Sequence, residues 1–260
     1  MTAPEISVRA CHALADYEAC IAVQKQVWAG ADIDVVPLPL FVVVAETGGQ
    51  VLGAFAGGRM VGFTLAMPAF HGEKKLLHSH MTAVVPEFQN HGIGRQLKLF
   101  QREDALRRGI DLVEWTFDPL EIRNAHFNLV RLGAIARRFI PNCYGITSSP
   151  LHAGLPTDRL VVEWWLASPR VIACVSSSDR RGAACCAPAS GAVRIRVPAD
   201  IAQLKLSNAA EAARLQQGIR EQFQRWFGHG YVVTGFEIHP QGGDYVLEPK
   251  PSGWPLTAES

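Results

Sequence analysis

The stretch Thr82-Ala83-Val84-Val85-Pro86-Glu87-Phe88-Gln89-Asn90-His91-Gly92-Ile93-Gly94-Arg95-Gln96-Leu97 runs from an apolar strand-like segment, through a loop with two glycines, into an amphipathic segment. A helix that starts at such a loop opens with unpaired N–H groups and a partial positive charge, where anions bind. Glycine lets the backbone approach a phosphate oxygen with no Cβ between them. The pattern predicts a phosphate or pyrophosphate site. It is not a dinucleotide fingerprint, because Leu97 stands where the third glycine belongs. Nor is it a P-loop, because Arg95-Gln96 replaces the required Lys and Ser or Thr.

The segments on either side supply the scaffold. Leu76 to Val85 reads as the strand that enters the loop, and Gly92 to Arg108 as the helix that leaves it. Ile93, Leu97, Phe100 and Leu106 lie near one stripe of that helix, and Gly109 closes it. Upstream, Ile6–Ala10 reads as a strand and Leu14–Trp28 as an amphipathic helix. Leu40–Ala45 reads as a short helix, although Phe41-Val42-Val43-Val44 suits a strand equally well. Gln50–Gly57 and Met60–Met67 form a hairpin about Gly57-Gly58-Arg59. Downstream come a strand over Asp111–Phe117, a break at Asp118-Pro119, a helix over Ile122–Leu132 ended by Gly133, and a strand over Arg159–Leu166. Phe139 to Pro156 reads as irregular, and Arg123, Arg131, Arg137 and Arg138 as mostly solvated face, with one of them available for a phosphate or a carboxylate.

Residues 168–192, rich in Ser, Gly, Ala and Pro, read as a linker or long loop. A strand at Val193–Val197, one long helix over Pro198–Trp226, and strands at Gly230–Ile238 and Tyr245–Glu248 follow. The expected domains are 1–167 as the unit with the glycine loop, 168–192 as linker or long loop, and 193–250 as an α/β extension that completes the sheet, covers a pocket or makes a homodimer contact.

Composition narrows the function. With 48% apolar and 19% charged residues a sizeable core can form, and a net charge of +1 calls for neither nucleic acid nor an anionic membrane. No apolar run is long enough to span a bilayer. Met1-Thr2-Ala3-Pro4-Glu5 lacks the basic flank and apolar stretch of a secretory signal. The six cysteines, with Cys185 and Cys186 adjacent, have neither disulfide-framework nor zinc spacing. A cytoplasmic protein without a metal is expected.

Gln89-x-x-Gly92-x-Gly94 resembles the signature of the GNAT acetyltransferase superfamily, preceded by a similar strand end at Val84-Val85-Pro86. Met60-Val61-Gly62-Phe63 after a Gly-Gly turn resembles that family's central hairpin, and Asn124-Ala125 with Arg131-Leu132-Gly133-Ala134 its second helix and exit turn. In order, these features span roughly 5–166. The resemblance implies an α/β (α+β) fold with a mixed, mostly antiparallel sheet whose central strands splay, flanked by helices, plus the C-terminal strand–helix–strand–strand extension. It implies acetyl-CoA or another acyl-CoA, such as succinyl-CoA, as co-substrate. The pyrophosphate would lie on the backbone of Gln89, Asn90, His91, Gly92, Ile93, Gly94 and Arg95. The pantetheine amides would pair with Val84 and Val85, and Asn124 would reach the pantetheine or thioester. A backbone N–H of Val84 or Val85 would hold the oxyanion as a small amine, an amino acid among the candidates, attacks directly in a ternary complex.

The chain departs from that pattern at Leu129, where many members carry the tyrosine general acid. Tyr144 is the substitute, unless the thiolate, with a reference pKa of about 8.5, leaves unprotonated. For the base, His80 and Asp118 are the candidates. His78 and His80 also read as hydrogen-bonded strand histidines, Asp118 also as a cap for the turn at Pro119, and Asn128 and Trp164-Trp165 as packing residues. Two alternatives stand beside the small-amine enzyme: a non-catalytic acyl-CoA-binding regulatory module, and acyl transfer to a protein terminus.

Overall fold

The computed structural model describes residues 5–28, 35–145, 154–177 and 191–250 of the 260. Cys185 and Cys186 lie outside the described residues. The fold is mixed α/β with a mostly antiparallel sheet, and the chain divides into two compact units, one up to Val113 and one from Glu114.

In the first unit, strands β1 (Ile6–Ala10), β2 (Gln50–Ala56), β3 (Arg59–His71) and β4 (Lys74–Val84) lie side by side in that order. Each successive pair is antiparallel. Consecutive residues of a strand face opposite sides, and β3 uses both. Phe63 is fully buried beside Phe41 and Trp28. Those two belong to helices α2 (Leu38–Glu46) and α1 (Leu14–Trp28). A Cβ on the neighbouring Gly62 would meet the Ala83 carbonyl at 2.7 Å and Leu97 at 3.4 Å. Leu97 comes from helix α3 (Ile93–Arg107), so α3 covers the face opposite α1 and α2. The run Phe41-Val42-Val43-Val44 is helical. Pro37 stands at the N-cap of α2 and Pro39 in its first turn, where a missing N–H breaks no intrahelical bond.

The second unit orders its strands β5-β7-β6-β9-β10-β8. They are β5 (Leu112–Phe117, which begins at the end of the first unit), β6 (Ile135–Ile140), β7 (Arg159–Trp165), β8 (Val193–Pro198), β9 (Tyr231–His239) and β10 (Gly242–Pro249). Helix α4 (Ile122–His126) continues into a π-helical turn at Phe127–Arg131, with Leu132 N–H bonding the Phe127 carbonyl at 3.0 Å. Trp164 donates its indole N–H to the Leu132 carbonyl at 2.8 Å and packs edge-on to Trp115.

Three expectations need correction here. Residues 135–140 form a strand whose arginines are paired with buried acids, so Arg137 and Arg138 are not solvated face. Pro169–Ser176 within the expected linker is helix α5, with Ser168 accepting the Val171 N–H and proline at its first position. The long C-terminal helix is two, α6 (Ile201–Ser207) and α7 (Ala209–Gly228), because Asn208 leaves helical geometry and caps α7 by accepting the Glu211 N–H at 3.1 Å.

Candidate functional site

β4 ends at Val84 and the chain turns through a short 3₁₀ segment at Pro86–Phe88. Asn90 and Gly92 then take left-handed conformations, φ +64° and +83°, and α3 begins at Ile93 with Gly92 as its N-cap. That cap has no side chain, so the first-turn amides of Ile93, Gly94 and Arg95 receive no capping bond from it, and helix geometry gives them no intrahelical acceptor. A Cβ added at Gly92 or Gly94 would meet nothing within 4 Å. The loop is braced from within: Gln89 donates its side-chain amide to the Val84 carbonyl at 3.0 Å, and the His91 ring bonds the Gln89 carbonyl at 2.8 Å.

Two amides of the expected set are already used. Gln89 N–H bonds the Pro86 carbonyl at 3.2 Å, and Val85 N–H bonds the Val61 carbonyl at 3.0 Å. The Val85 bond makes Val61 and Val85 a hydrogen-bonded pair, so the ladder's alternation turns the Val84 amide to the edge of β4 away from β3. Val84, rather than Val85, is therefore the strand-end residue whose amide points away from β3.

His80 sits where the register of β4 against β3 slips by one residue: Leu65 faces Met81, but Ala66 faces Ser79. This bulge breaks the simple alternation of His78 and His80. His80 is exposed, yet the protein packed around it disfavours its charged form and lowers its pKa. Beneath the same bulge lies a residue that the sequence reading passed over. Lys98 is buried on α3 and donates to Ser79 Oγ at 2.8 Å and Gln101 Oε1 at 3.0 Å. Burial brings its pKa down to about 7. The signal was present, since Lys98 falls with Leu97, Gln101 and Ala105 on the buried stripe of α3.

In the second unit, Tyr144 is half-exposed, and its hydroxyl shares a 3.0 Å hydrogen bond with Thr116 of β5. Asp118 is engaged on both oxygens: Oδ1 accepts the Leu120 N–H at 2.8 Å, and Oδ2 faces the buried Lys205 ammonium at 3.2 Å. Those bonds make Asp118 a turn cap and an ion-pair partner, and leave it poorly placed to take a proton from a substrate. Asn124 is exposed on α4, Asn128 is buried, and Leu129 is wholly buried. Glu114 and Glu163 were also missed; both are buried in strands, against Arg138 and Arg137.

Residues 24–134 match the sequence model of the acetyltransferase (GNAT) family. Over this span, less than half of its length, the chain is similar to the GNAT acetyltransferases. Solved structures with the GNAT fold agree. The ribosomal-protein-S18-alanine N-acetyltransferase from Escherichia coli aligns with a TM-score of 0.52 at 14% identity, over 63% of this chain and 96% of its own. An acetyltransferase of the GNAT family from Desulfovibrio desulfuricans gives 0.52 at 16%, over 63% and 100%. An N-acetyltransferase from Staphylococcus aureus gives 0.52 at 12%, over 62% and 99%. At such identities the likeness is one of fold. No curated protein matches the sequence. The matched span contains the Gly92–Gly94 loop, and among the described residues no helix is long and apolar enough to cross a membrane.

Proposed function

We propose that this chain moves an acetyl group, or another acyl group such as succinyl, from an acyl-CoA to a small amine, with the coenzyme's pyrophosphate on the amides that open α3. The match to the acetyltransferase family supports the reaction class. The observation that carries the placement is Gly94. Its backbone has no positive φ and no neighbour lies where a side chain would go, so neither strain nor packing calls for glycine there. Glycine within a helix costs roughly 0.5–1 kcal/mol relative to alanine. A ligand that must touch the backbone gives that cost a purpose.

Bound acyl-CoA supplies an activated thioester carbonyl. Asn90, His91, Gly92, Ile93, Gly94 and Arg95 form the cradle, the Val84 amide is turned to the strand edge, and Asn124 offers an exposed amide side chain. The acceptor ammonium must lose a proton before its nitrogen can attack. His80, held neutral near pH 7 by desolvation, accepts it. Tyr144, aligned by Thr116, is the candidate donor to the departing thiolate.

Gly94→Glu puts a side chain and a negative charge into the phosphate position. Calorimetry should show acetyl-CoA affinity falling at least a hundredfold while the thermal melt is unchanged. Equal affinity in the folded variant defeats the placement. His80→Ala and Tyr144→Phe should slow thiol release without changing that affinity. The core position of Leu129, where many family members carry tyrosine, favours one second reading, an acyl-CoA-binding module without catalysis. Tight acetyl-CoA binding with no thiol release across a broad amine panel would select it.

A further inference from the structure

The second unit holds a four-charge cluster that the mechanism above does not use. In β6 the register against β7 slips at Arg137: Ala136 faces Val162, but Arg138 faces Val161. A bulge of this kind turns two consecutive side chains toward one face instead of opposite faces. Both guanidinium groups accordingly reach carboxylates. Arg137 grips Glu163 through two bonds of 2.7 and 2.8 Å, and Arg138 donates to Glu114 at 3.1 Å. The neighbours of the two acids, Trp115 and Trp164, face the side capped by the Leu132 carbonyl, so Glu114 and Glu163 face the other.

The two pairs are unequal. Arg137 and Glu163 are almost buried, at 13% and 1% side-chain exposure, whereas the Arg138 side chain is 39% exposed over a Glu114 at 3%. Among the described residues, the buried Nε–H of Arg138 meets no hydrogen-bond acceptor. A guanidinium that donates once to Glu114 and keeps an open side is matched to a further planar anion that takes N–H bonds from its exposed edge. Thr116 lies two residues beyond Glu114, hence on the same face and roughly 7 Å along the strand. It carries the Tyr144 hydroxyl at 3.0 Å. The anion site therefore shares a strand face with a candidate catalytic group.

We propose that Arg138 is the acceptor-recognition residue: it takes the carboxylate of the incoming amine, which makes amino acids and related amino carboxylates the acceptor class. The assignment rests on the acyltransferase reading, because an acceptor subsite presupposes a transfer. Glu114 is the internal competitor for Arg138. Burial raises its pKa to about 7, opposed by Arg138 and Arg137 of β6 and reinforced by Glu163 of β7. Below that pH Glu114 is neutral and releases Arg138 to the acceptor; above it the ionised carboxylate takes Arg138 back. Acceptor binding therefore weakens as pH rises through about 7.

The test compares an amino acid, its carboxamide and the corresponding decarboxylated amine, by calorimetry on the acetyl-CoA-loaded protein and by thiol release. Wild type should bind the amino acid at least tenfold more tightly than the other two. Arg138→Gln should raise KM for the amino acid at least tenfold with kcat within about threefold, and leave the two acceptors without a carboxylate unchanged; Arg138→Lys should restore part of the loss. Glu114→Gln should tighten amino-acid binding and remove its pH dependence near 7. Equal wild-type binding of acid and amide overturns the proposal, as does an Arg138→Gln effect common to all three acceptors or weaker amino-acid binding in Glu114→Gln. If acetyl-CoA itself fails to bind, the acyltransferase reading fails first, and amino-acid binding to the unloaded protein, with or without Arg138, still judges the subsite.

Discussion

Lys98 carries its amine into the interior of the first unit, where it joins Ser79 of β4 and Gln101 of α3. From Gln101 the chain of hydrogen bonds continues to Gln50 of β2 at 3.1 Å and from there to Asp104 at 2.8 Å. The bulge that displaces His80 is thus fastened from below. A lysine with a folded pKa near 7 and an unfolded value near 10.4 binds fewer protons when folded throughout that interval. Stability therefore rises with pH between about 7 and 10 and no longer changes on this account below 7, where both states are protonated. The full penalty below pH 7 is on the order of 4–5 kcal/mol by linkage. Lys98→Met should remove that slope, so the difference in unfolding free energy between variant and wild type shrinks from pH 7 to pH 9 in urea titrations. A difference that stays constant with pH would show that the amine is charged throughout. None of this depends on an unusual residue type, only on a lysine at a position the helical stripe reserves for the core.

At the scale of elements, the break between α6 and α7 shows how a boundary escapes a reading by apolar period. Ile201, Lys205, Ala212, Gln216, Ile219 and Phe223 keep burying one side after another, and neither Gly nor Pro intervenes at the junction. One asparagine makes the break: its N–H ends α6 on the Leu204 carbonyl at 2.8 Å, and its side chain starts α7. Asn208→Ala should cost about 1 kcal/mol. Hydrogen exchange should speed up at residues 209–212, and unchanged protection there would refute the capping role. β6 was illegible for the opposite reason. Ile135-Ala136-Arg137-Arg138-Phe139-Ile140 has no two-residue alternation, because the bulge places two consecutive positions on one face. The glycine loop, by contrast, was legible as strand, turn and helix because Gly92 takes the left-handed conformation that opens α3. In sequence His80 stands on the strand that leads to Val84 and Asp118 at the end of the next, and only the geometry tells the exposed imidazole from the tethered carboxylate.

At the scale of the molecule, the solved acetyltransferases align over 63% or less of this chain while 96% or more of their own length is covered. The remainder is structurally committed within the second unit. β9 pairs with β6 at Val233 and Ala136. Arg220 of α7 holds the fully buried Asp158 through bonds of 2.8 and 2.9 Å. Tyr245 of β10 donates to the Pro119 carbonyl at 2.7 Å, and Lys205 of α6 meets Asp118. A chain ending after residue 177 would leave two carboxylates without their cations and β6 without β9. Uncompensated buried charge costs several kcal/mol, and an open strand edge invites association. Such a truncation should lose its cooperative melt and elute as aggregate in size exclusion. A monomer with an intact melt would show that the last third folds as a separate appendage.

The extra residue in β6 has a last consequence. Excising the Arg137 codon would let Arg138 stay opposite Val161 and leave the facing of Phe139 and Ile140 as it is, but it would strip the buried Glu163 of its guanidinium. Two buried acids would then share one guanidinium, and the unpaired one would favour its protonated form. The residue that breaks the strand's alternation is thus also the one that keeps a carboxylate ionised in the interior.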